Sequence, residues 1–250
     1  MKKEFKILGT LVGFFLLWEI LVILLKTPTY LLPKPSLIFN TLFNNFSMFI
    51  YHTLWTSSEI ILGFLLAIVV AFIISILAVY SKYVKEVIHP LLVIIQVVPK
   101  IALAPLFLIW MGYGISPKIL IAALVCFFPI IINFSKGLNL VNQNLIDIMR
   151  SMGSTKKEIL FKVQIPFSLP YLFSGLRVGI ALAAVGAIVG EFVAATKGLG
   201  YLISYHATLI NTPLVFAAIF MTTLLGIFLY MIIVFIERKV VFWEKERVFN

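Results

Sequence analysis

The sequence predicts an all-α integral membrane protein, and three observations support this: an apolar composition, six long apolar runs, and basic residues concentrated in a few connecting segments. Of the 250 residues, 62% are hydrophobic and 12% are charged, and the mean hydropathy is +1.12. A soluble domain has about 25% charged residues, because its surface faces water. This chain has too few charges for such a surface. We therefore expect a single transmembrane domain, residues 1–250, surrounded mostly by lipid.

Six runs are candidates for membrane-crossing helices, each of which needs about 20 mostly apolar residues. They lie at about 7–25, 60–80, 88–111, 119–136, 171–189 and 214–236. The third run contains Pro99 and Pro105, so we expect it to kink or break, since an interior proline removes a helix hydrogen bond. The fifth run is rich in glycine and alanine, which let helices approach closely in lipid. We therefore expect the fifth helix to be central.

The distribution of Lys and Arg predicts the orientation, because cytoplasmic loops carry the excess of both. With the N-terminus in the cytoplasm, fourteen of these residues lie inside, among them Lys245 and Arg247 of the C-terminal tail, and four lie outside. Both termini are then cytoplasmic in a multi-pass protein of the cell membrane. This arrangement also explains the net charge of +10 without a nucleic-acid partner.

The segment after the first run is predicted to be an extended connector followed by a helix at the outer interface. The connector "TPTYLLPKPS" is rich in proline, which favours extended backbone. Residues 36–54 then show apolar residues near helical spacing, with Ser36 as the expected N-cap. The polar residues between them make this helix unsuited to cross the membrane.

The longest cytoplasmic segment, residues 139–170, is predicted to form two short helices, and we call it the coupling loop. The first helix covers about 144–152 and is closed by Gly153, a residue type common just past helix ends. The second opens with Thr155 and Glu158, the spacing of a capping box. Pro166 and Pro170 then return the chain to the membrane. From spacing alone, the loop either lies on the lipid surface, drawn there by its lysines, or docks a partner.

The coupling loop resembles the signature loop of the permease subunits of ATP-binding-cassette (ABC) importers. That pattern is Glu-Ala-Ala, three residues, Gly, nine residues, Ile, one residue, Leu-Pro. Here Asp147-Ile148-Met149 stands in the first position, followed by Gly153, Val163 and Ile165-Pro166. The spacing, the glycine and the proline match, whereas Asp replaces Glu and larger residues replace both alanines. The stretches "LLPKPSLIF", "VVPKIALAPLFLIWMGYG" and "GEFVAATKGLGYLI" resemble the nitrate/sulfonate/taurine group of these permeases.

The resemblance implies a type I ABC importer-like fold of six transmembrane helices and a set of partners. It implies a dimer of cytoplasmic ATPase subunits that dock on the coupling loop, a second copy of the permease, and an extracytoplasmic substrate-binding protein. The implied coupling residues are Asp147, Arg150, Gly153, Lys156, Glu158 and Pro166. The implied solute is nitrate, a sulfonate, taurine or a related small anion. Similar permeases serve pyrimidine precursors of thiamine and other vitamins, which is the alternative.

No catalytic set is evident, so we expect ATP hydrolysis in a separate subunit and no cofactor or metal. The chain has no phosphate-binding loop of the form G-x-x-x-x-G-K-[ST], and His52, His89 and His206 are far apart in sequence. Each histidine is expected at an interface or in a hydrogen bond. A secondary transporter would instead need inverted repeats and mid-membrane carboxylates, and a membrane-embedded enzyme would need catalytic residues.

The translocation pathway is predicted from polar residues and glycines in or near the apolar runs, since an ionisable group there faces protein or water. Lys100 either attracts an anionic solute or is used in snorkelling or an ion pair. Glu191 ends the fifth run, where it could pair with a second permease or receive the binding protein. Gly198 and Gly200 are predicted to shape an outer re-entrant turn, against the alternative of an ordinary surface turn. The candidate pathway residues are Gln96, Pro99, Lys100, Glu191, Gly198 and Gly200.

Overall fold

The computed structural model describes residues 2–244 and is an all-helical bundle over this range, as the sequence predicts. The basic tail residues Lys245 and Arg247, and the side chain of His89, lie outside the described residues. The helices are α1 Lys2–Leu24, α2 Pro35–Asn44, α3 Phe46–Tyr80, α4 Lys82–Val97, α5 Ala104–Met111, α6 Ser116–Asn139, α7 Gln143–Ser151, α8 Lys156–Ile159, α9 Ile165–Ala194, α10 Leu199–Thr208 and α11 Thr212–Val240.

Four helical segments are long and apolar enough to cross a membrane. They are Phe46–Tyr80, Ser116–Asn139, Lys156–Val193 and Thr212–Val240, and two shorter apolar helices cover Val12–Leu24 and Lys100–Met111. Each of the six predicted runs overlaps one of these segments.

Helix α9 lies at the centre of the bundle, as its small residues predict, and packs against α3, α6, α10 and α11. The contact with α6 is close because glycine faces it. A Cβ atom at Gly175 would lie 2.8 Å from the carbonyl oxygen of Pro129, and one at Gly186 would lie 2.8 Å from Cα of Ala122. In lipid, helices associate through such close backbone packing.

The third apolar run is broken, as predicted from its prolines. Helix α4 ends at Val97, a short 3-10 segment covers Lys100–Leu103, and α5 begins at Ala104. Pro99 stands at the break and Pro105 in the first turn of α5, where its missing N–H costs nothing.

The predicted interfacial helix over 36–54 is wrong in both its extent and its cap. Helix α2 starts at Pro35 and ends at Asn44, and α3 then runs unbroken from Phe46 to Tyr80. Ser36 caps nothing: its N–H and hydroxyl donate to the carboxylate of Glu19 on α1, at 3.0 and 2.7 Å. Proline at the first helical position starts α2 one residue earlier.

The second helix of the coupling loop is also not separate, contrary to the prediction. Helix α8 continues through a π-helical turn, Leu160–Gln164, directly into α9. Pro166 lies in the first turn of α9 and Pro170 inside it, so neither interrupts the chain. The π turn directly precedes Pro166, whose missing N–H leaves the carbonyl of Lys162 in that turn without its usual i→i−4 partner. The coupling loop is therefore joined to the central helix by continuous helical backbone.

Candidate functional site

Five buried side chains from three helices meet at the end of the bundle that carries α10. We call His52, Thr56, Glu59, Lys118 and Glu191 the buried polar cluster; each is at most 9% exposed. The first three come from α3 at positions i, i+4 and i+7, so they lie on one face of that helix. Lys118 comes from the first turn of α6, and Glu191 from the last turn of α9.

An ion pair forms the centre of the buried polar cluster. Nζ of Lys118 lies 2.8 Å from Oε1 of Glu59, and both side chains are at most 9% exposed. The other oxygen of Glu59 receives no hydrogen bond from the described residues, and the carboxyl group of Glu191 is close enough to interact electrostatically with both Glu59 and Lys118. A buried charge is costly without a partner. Lys118 is therefore the cation that stabilises the carboxyl groups of both Glu59 and Glu191.

The same cluster receives the N-terminus of α10. The backbone N–H of Gly198 donates to Nδ1 of His52 at 2.9 Å, and that of Leu199 donates to Oγ1 of Thr56 at 2.8 Å. The N–H of Gly200 donates to Oε2 of Glu191. The first N–H groups of a helix have no partner within the helix, and a carboxylate near them is favourable. Side chains of α3 and α9 therefore hold the start of α10.

Thr56 connects these contacts. Its hydroxyl accepts from Leu199 and donates to Oε1 of Glu191 at 2.7 Å. Because Nδ1 of His52 accepts a hydrogen bond, its ring proton is on Nε2 when neutral. The predicted hydrogen-bonded role of His52 is thereby confirmed.

Two glycines make room for Glu191. Gly198 has φ +112°, and a Cβ atom there would lie 2.2 Å from the carboxyl carbon of Glu191. Gly200 lies within α10, and its Cβ would lie 2.8 Å from Oε2 of Glu191. Only Gly198 therefore serves the predicted turn through its backbone angle, whereas Gly200 permits a close approach.

The structure corrects the sequence interpretation of Glu191 and shows that it belongs to a cluster with residues the sequence did not associate with it. Glu191 is 1% exposed and bonded within the chain, so it is not a surface residue that awaits a second permease or a binding protein. Sequence reasoning did not associate Thr56, Glu59 or Lys118 with it. The spacing of His52, Thr56 and Glu59 at i, i+4 and i+7 was the available signal.

The other predicted pathway residues lie at the break between α4 and α5. Nζ of Lys100 donates to the carbonyl oxygen of Gln96 at 3.0 Å and lies 4.6 Å from the ring centre of Phe128. A cation over an aromatic face is attracted by the ring electrons. Pro99 and Gln96 are exposed. Among the side chains that the structure describes, no carboxylate pairs with Lys100, and no hydrogen bond links this group to the buried polar cluster.

The coupling loop shows the opposite pattern, with short-range bonds between exposed groups. The capping box is confirmed: Oγ1 of Thr155 accepts from the N–H of Glu158, whose carboxylate accepts from the N–H of Thr155 at 2.9 Å. These bonds, with the ammonium of Lys162 at 3.1 Å, lower the pKa of Glu158 to about 2. Asp147 pairs with Arg150 at 3.2 Å on α7.

Gly153 follows α7 with φ +82°, the left-handed backbone that the sequence predicts, and open space surrounds its Cα. The remaining predicted coupling residues are distributed along the loop: Lys156 is exposed in the first turn of α8, and Pro166 lies in the first turn of α9. Inside the loop, Val141, Ile146 and Ile159 form a small apolar core.

One face of α7, continued by its C-cap residue Met152, is apolar and exposed. Leu145, Ile148 and Met152 are 43%, 55% and 75% exposed. They stand at i, i+3 and i+7, the spacing by which one helix face enters a groove of a partner. We call these three residues the α7 stripe.

Comparisons with known proteins agree with this geometry. Residues 63–242 match the family described as binding-protein-dependent transport system inner membrane component. The formylaminopyrimidine transport permease protein ThiX of Halalkalibacterium halodurans is 36% identical over 99% of this chain and 100% of its own length. The aliphatic sulfonates transport permease protein SsuC of Bacillus subtilis is 33% identical over 73% of this chain and 66% of its own length.

The fold has a solved counterpart in the MetNI methionine ABC transporter, determined in inward-facing conformations. A chain of that transporter matches with a TM-score of 0.58 and 20% identity, covering 76% of this chain and 98% of its own length. The predicted type I importer fold is thereby confirmed. The chain belongs to the family of inner membrane components of binding-protein-dependent transport systems, and it is a multi-pass ABC permease.

Proposed function

We propose that the chain forms, with a second copy of itself, the pathway of an ABC importer that accepts a small solute from an extracytoplasmic binding protein. ATP is hydrolysed in a separate cytoplasmic subunit, which docks on the coupling loop. Both termini, the coupling loop and the C-terminal end of α3 then face the cytoplasm. The buried polar cluster and α10 lie at the outer side.

The α7 stripe is the observation that carries this proposal. Its three apolar side chains are 43% to 75% exposed, whereas the other exposed residues of α7 are charged or polar. An apolar face on a capped helix outside the membrane costs free energy in water unless a partner covers it. A groove in an ATPase subunit would cover the α7 stripe and leave the small core behind it intact.

Continuous helical structure provides a route from ATPase to pathway. Helix α8 continues through the π turn into α9, so a displacement of the docked loop reaches the central helix directly. The far end of α9 carries Glu191, which holds the start of α10. Docking energy can then shift the population between inward-open and outward-open arrangements.

A pyrimidine related to the solute of ThiX is the leading substrate candidate, because that relative matches over its entire length. An aliphatic sulfonate is the second candidate, favoured by SsuC and by the free charge of Lys100. Lys100 contacts a carbonyl oxygen and an aromatic ring but no described carboxylate, so its charge remains available to an anion.

The docking test replaces stripe residues and measures ATPase copurification from membranes. Ile148→Asp and Met152→Asp place a charge in the proposed groove contact and should each lower copurification by at least tenfold. Ser151→Asp is the matched control, since it adds the same charge to an exposed position of α7 about a quarter turn from the stripe. Equal copurification by all three variants would refute docking through the α7 stripe.

The substrate test measures uptake of labelled formylaminopyrimidine by the assembled importer, with an aliphatic sulfonate as competitor. Pyrimidine uptake that resists the sulfonate, and that survives Lys100→Met, would support the leading candidate. Sulfonate uptake that falls in Lys100→Met while the ATPase complex stays intact would support the second. Uptake of neither solute would exclude both substrates and leave the docking test unaffected.

A further inference from the structure

A cavity lies between the C-terminal end of α3 and the coupling loop. Its volume is about 170 Å³, enough for a phosphate group. Val79, Ile146 and Ile159 form an apolar part of its wall. The polar part consists of Tyr80, Arg150, Lys156 and Gln164.

The polar wall presents hydrogen-bond donors and two positive charges. Arginine matches phosphate oxygens with a planar fork, and lysine attracts them as a point charge. Arg150 already contacts Asp147 at 3.2 Å, but both side chains are more than half exposed, and such surface pairs contribute little. No carboxylate whose side chain the structure describes pairs with Lys156. A phosphate group would thus gain two cationic contacts and displace only a weak one.

The surroundings of the cavity indicate a lipid rather than a soluble phosphate. Tyr80 is the last residue of α3, a helix long enough to cross the membrane, so the cavity lies at headgroup depth. Ile73 and Leu77 are 52% and 51% exposed, two turns and one turn before the cavity, and they stand at i and i+4 on one face of α3. Acyl chains can lie along this face while the phosphate occupies the cavity.

We propose that this cavity binds the phosphate group of an anionic phospholipid at the cytoplasmic side of the membrane. Basic pockets beside transmembrane helices on that side are suited to anionic headgroups. The lipid would bridge α3 and the coupling loop at the point where α7 meets α8. It would thereby hold the α7 stripe in a defined position relative to the membrane.

The alternative role for Arg150 and Lys156 is to complement the carbonyl groups at the C-terminal end of α3, which attract cations. That role requires no ligand. It predicts that removing the bases lowers the unfolding temperature without changing lipid retention.

The test uses the purified full-length permease without an ATPase subunit, so that a failure of ATPase docking does not affect it. Retained phosphatidylglycerol and phosphatidylcholine are counted by native mass spectrometry after exposure to mixed micelles. The double variant Arg150→Gln/Lys156→Gln should retain roughly 25-fold less phosphatidylglycerol, about fivefold for each charge. Lys157→Gln is the matched control, because it removes an exposed charge beside the cavity that does not line it.

Three outcomes would overturn the proposal. Equal retention of phosphatidylglycerol by the double variant and the control would return the bases to a role at the end of α3. Equal retention of phosphatidylcholine and phosphatidylglycerol would show that the charge is not recognised. Displacement of phosphatidylglycerol by millimolar inorganic phosphate would assign the cavity to a soluble anion. The unfolding temperature of each variant, measured in parallel, separates loss of lipid from loss of the fold.

Discussion

The two ends of the bundle differ in whether their polar side chains are buried and in how far apart in sequence the bonded partners lie. At the α10 end, the buried polar cluster joins side chains far apart in sequence, such as Thr56 and Glu191, and excludes solvent from them. At the coupling-loop end, bonds join near neighbours such as Thr155 and Glu158, and the side chains remain exposed. From Glu59 to Tyr80, α3 rises about 32 Å at 1.5 Å per residue, close to the thickness of a membrane core.

This difference indicates that the α10 end is stabilised by tertiary contacts and the coupling loop by local ones. The buried polar cluster stabilises one arrangement of α3, α6, α9 and α10, and a single substitution leaves a charge or donor without a partner. The coupling loop keeps its shape through local capping and leaves the α7 stripe uncovered. Substitutions at the α10 end should therefore affect folding, whereas those at the loop end should affect partner binding.

The largest effect is expected at the ion pair. Lys118→Met removes the cation shared by Glu59 and Glu191, and breaking a buried pair in this way costs about 3–5 kcal/mol. The unfolding temperature of the purified permease should fall strongly. The matched control is the double variant Lys118→Met/Glu59→Leu, which replaces both ends of the ion pair by apolar groups and should recover the part of the loss that comes from Glu59, since Glu191 keeps its bonds to Thr56 and Gly200. A double variant as unstable as the single one would contradict the ion-pair assignment.

Two glycines with positive φ, one at each end of the bundle, sharpen the comparison. Gly198→Ala places an L-residue in a backbone region that costs about 1–3 kcal/mol, and its Cβ also meets the carboxyl group of Glu191. Gly153→Ala meets no atom within 4 Å, so it should cost only the backbone strain of about 1–2 kcal/mol. Thermal unfolding should thus show the larger loss for Gly198→Ala.

Variants at the same two glycines should differ in the opposite direction for ATPase docking. Gly153→Val, with a bulky β-branched side chain, should disturb the end of α7 and lower copurification of the ATPase while the permease stays inserted. Gly198→Ala should leave copurification unchanged in whatever fraction of protein folds. Transport and copurification that both survive Gly153→Val would argue against the coupling role of this loop.

The smallest effect concerns the capping box and pH. Hydrogen bonds from Thr155 and the ammonium of Lys162 lower the pKa of Glu158 from 4.5 to about 2. The resulting stabilisation is fully present above pH 4.5 and is lost as pH falls from there to about 2. Amide hydrogen exchange of α8 in the full-length protein should rise over this window. Glu158→Gln should remove that dependence, and a variant that keeps it would show that another group titrates.

Local chemistry made much of the loop predictable. Gly153 at a helix end and the spacing of Thr155 and Glu158 involve neighbours within a few residues, so the pattern alone predicts the turn and the capping box. Helix continuity was harder to predict. Pro166 and Pro170 indicated a return to the membrane after a short helix, but a π turn precedes Pro166 and both prolines lie within the long helix α9.

By itself the sequence determined the membrane environment, the six apolar runs, the break at Pro99 and the family resemblance, because hydropathy, proline chemistry and motif spacing act along the chain. Only the tertiary structure decided which polar residues meet. Glu59, Lys118 and Glu191 are separated by dozens of residues, and each could have faced lipid headgroups, water or a partner protein. Their association depends on how α3, α6 and α9 pack, since a charge inside the bundle is tolerated only where packing brings its counter-charge within hydrogen-bond distance.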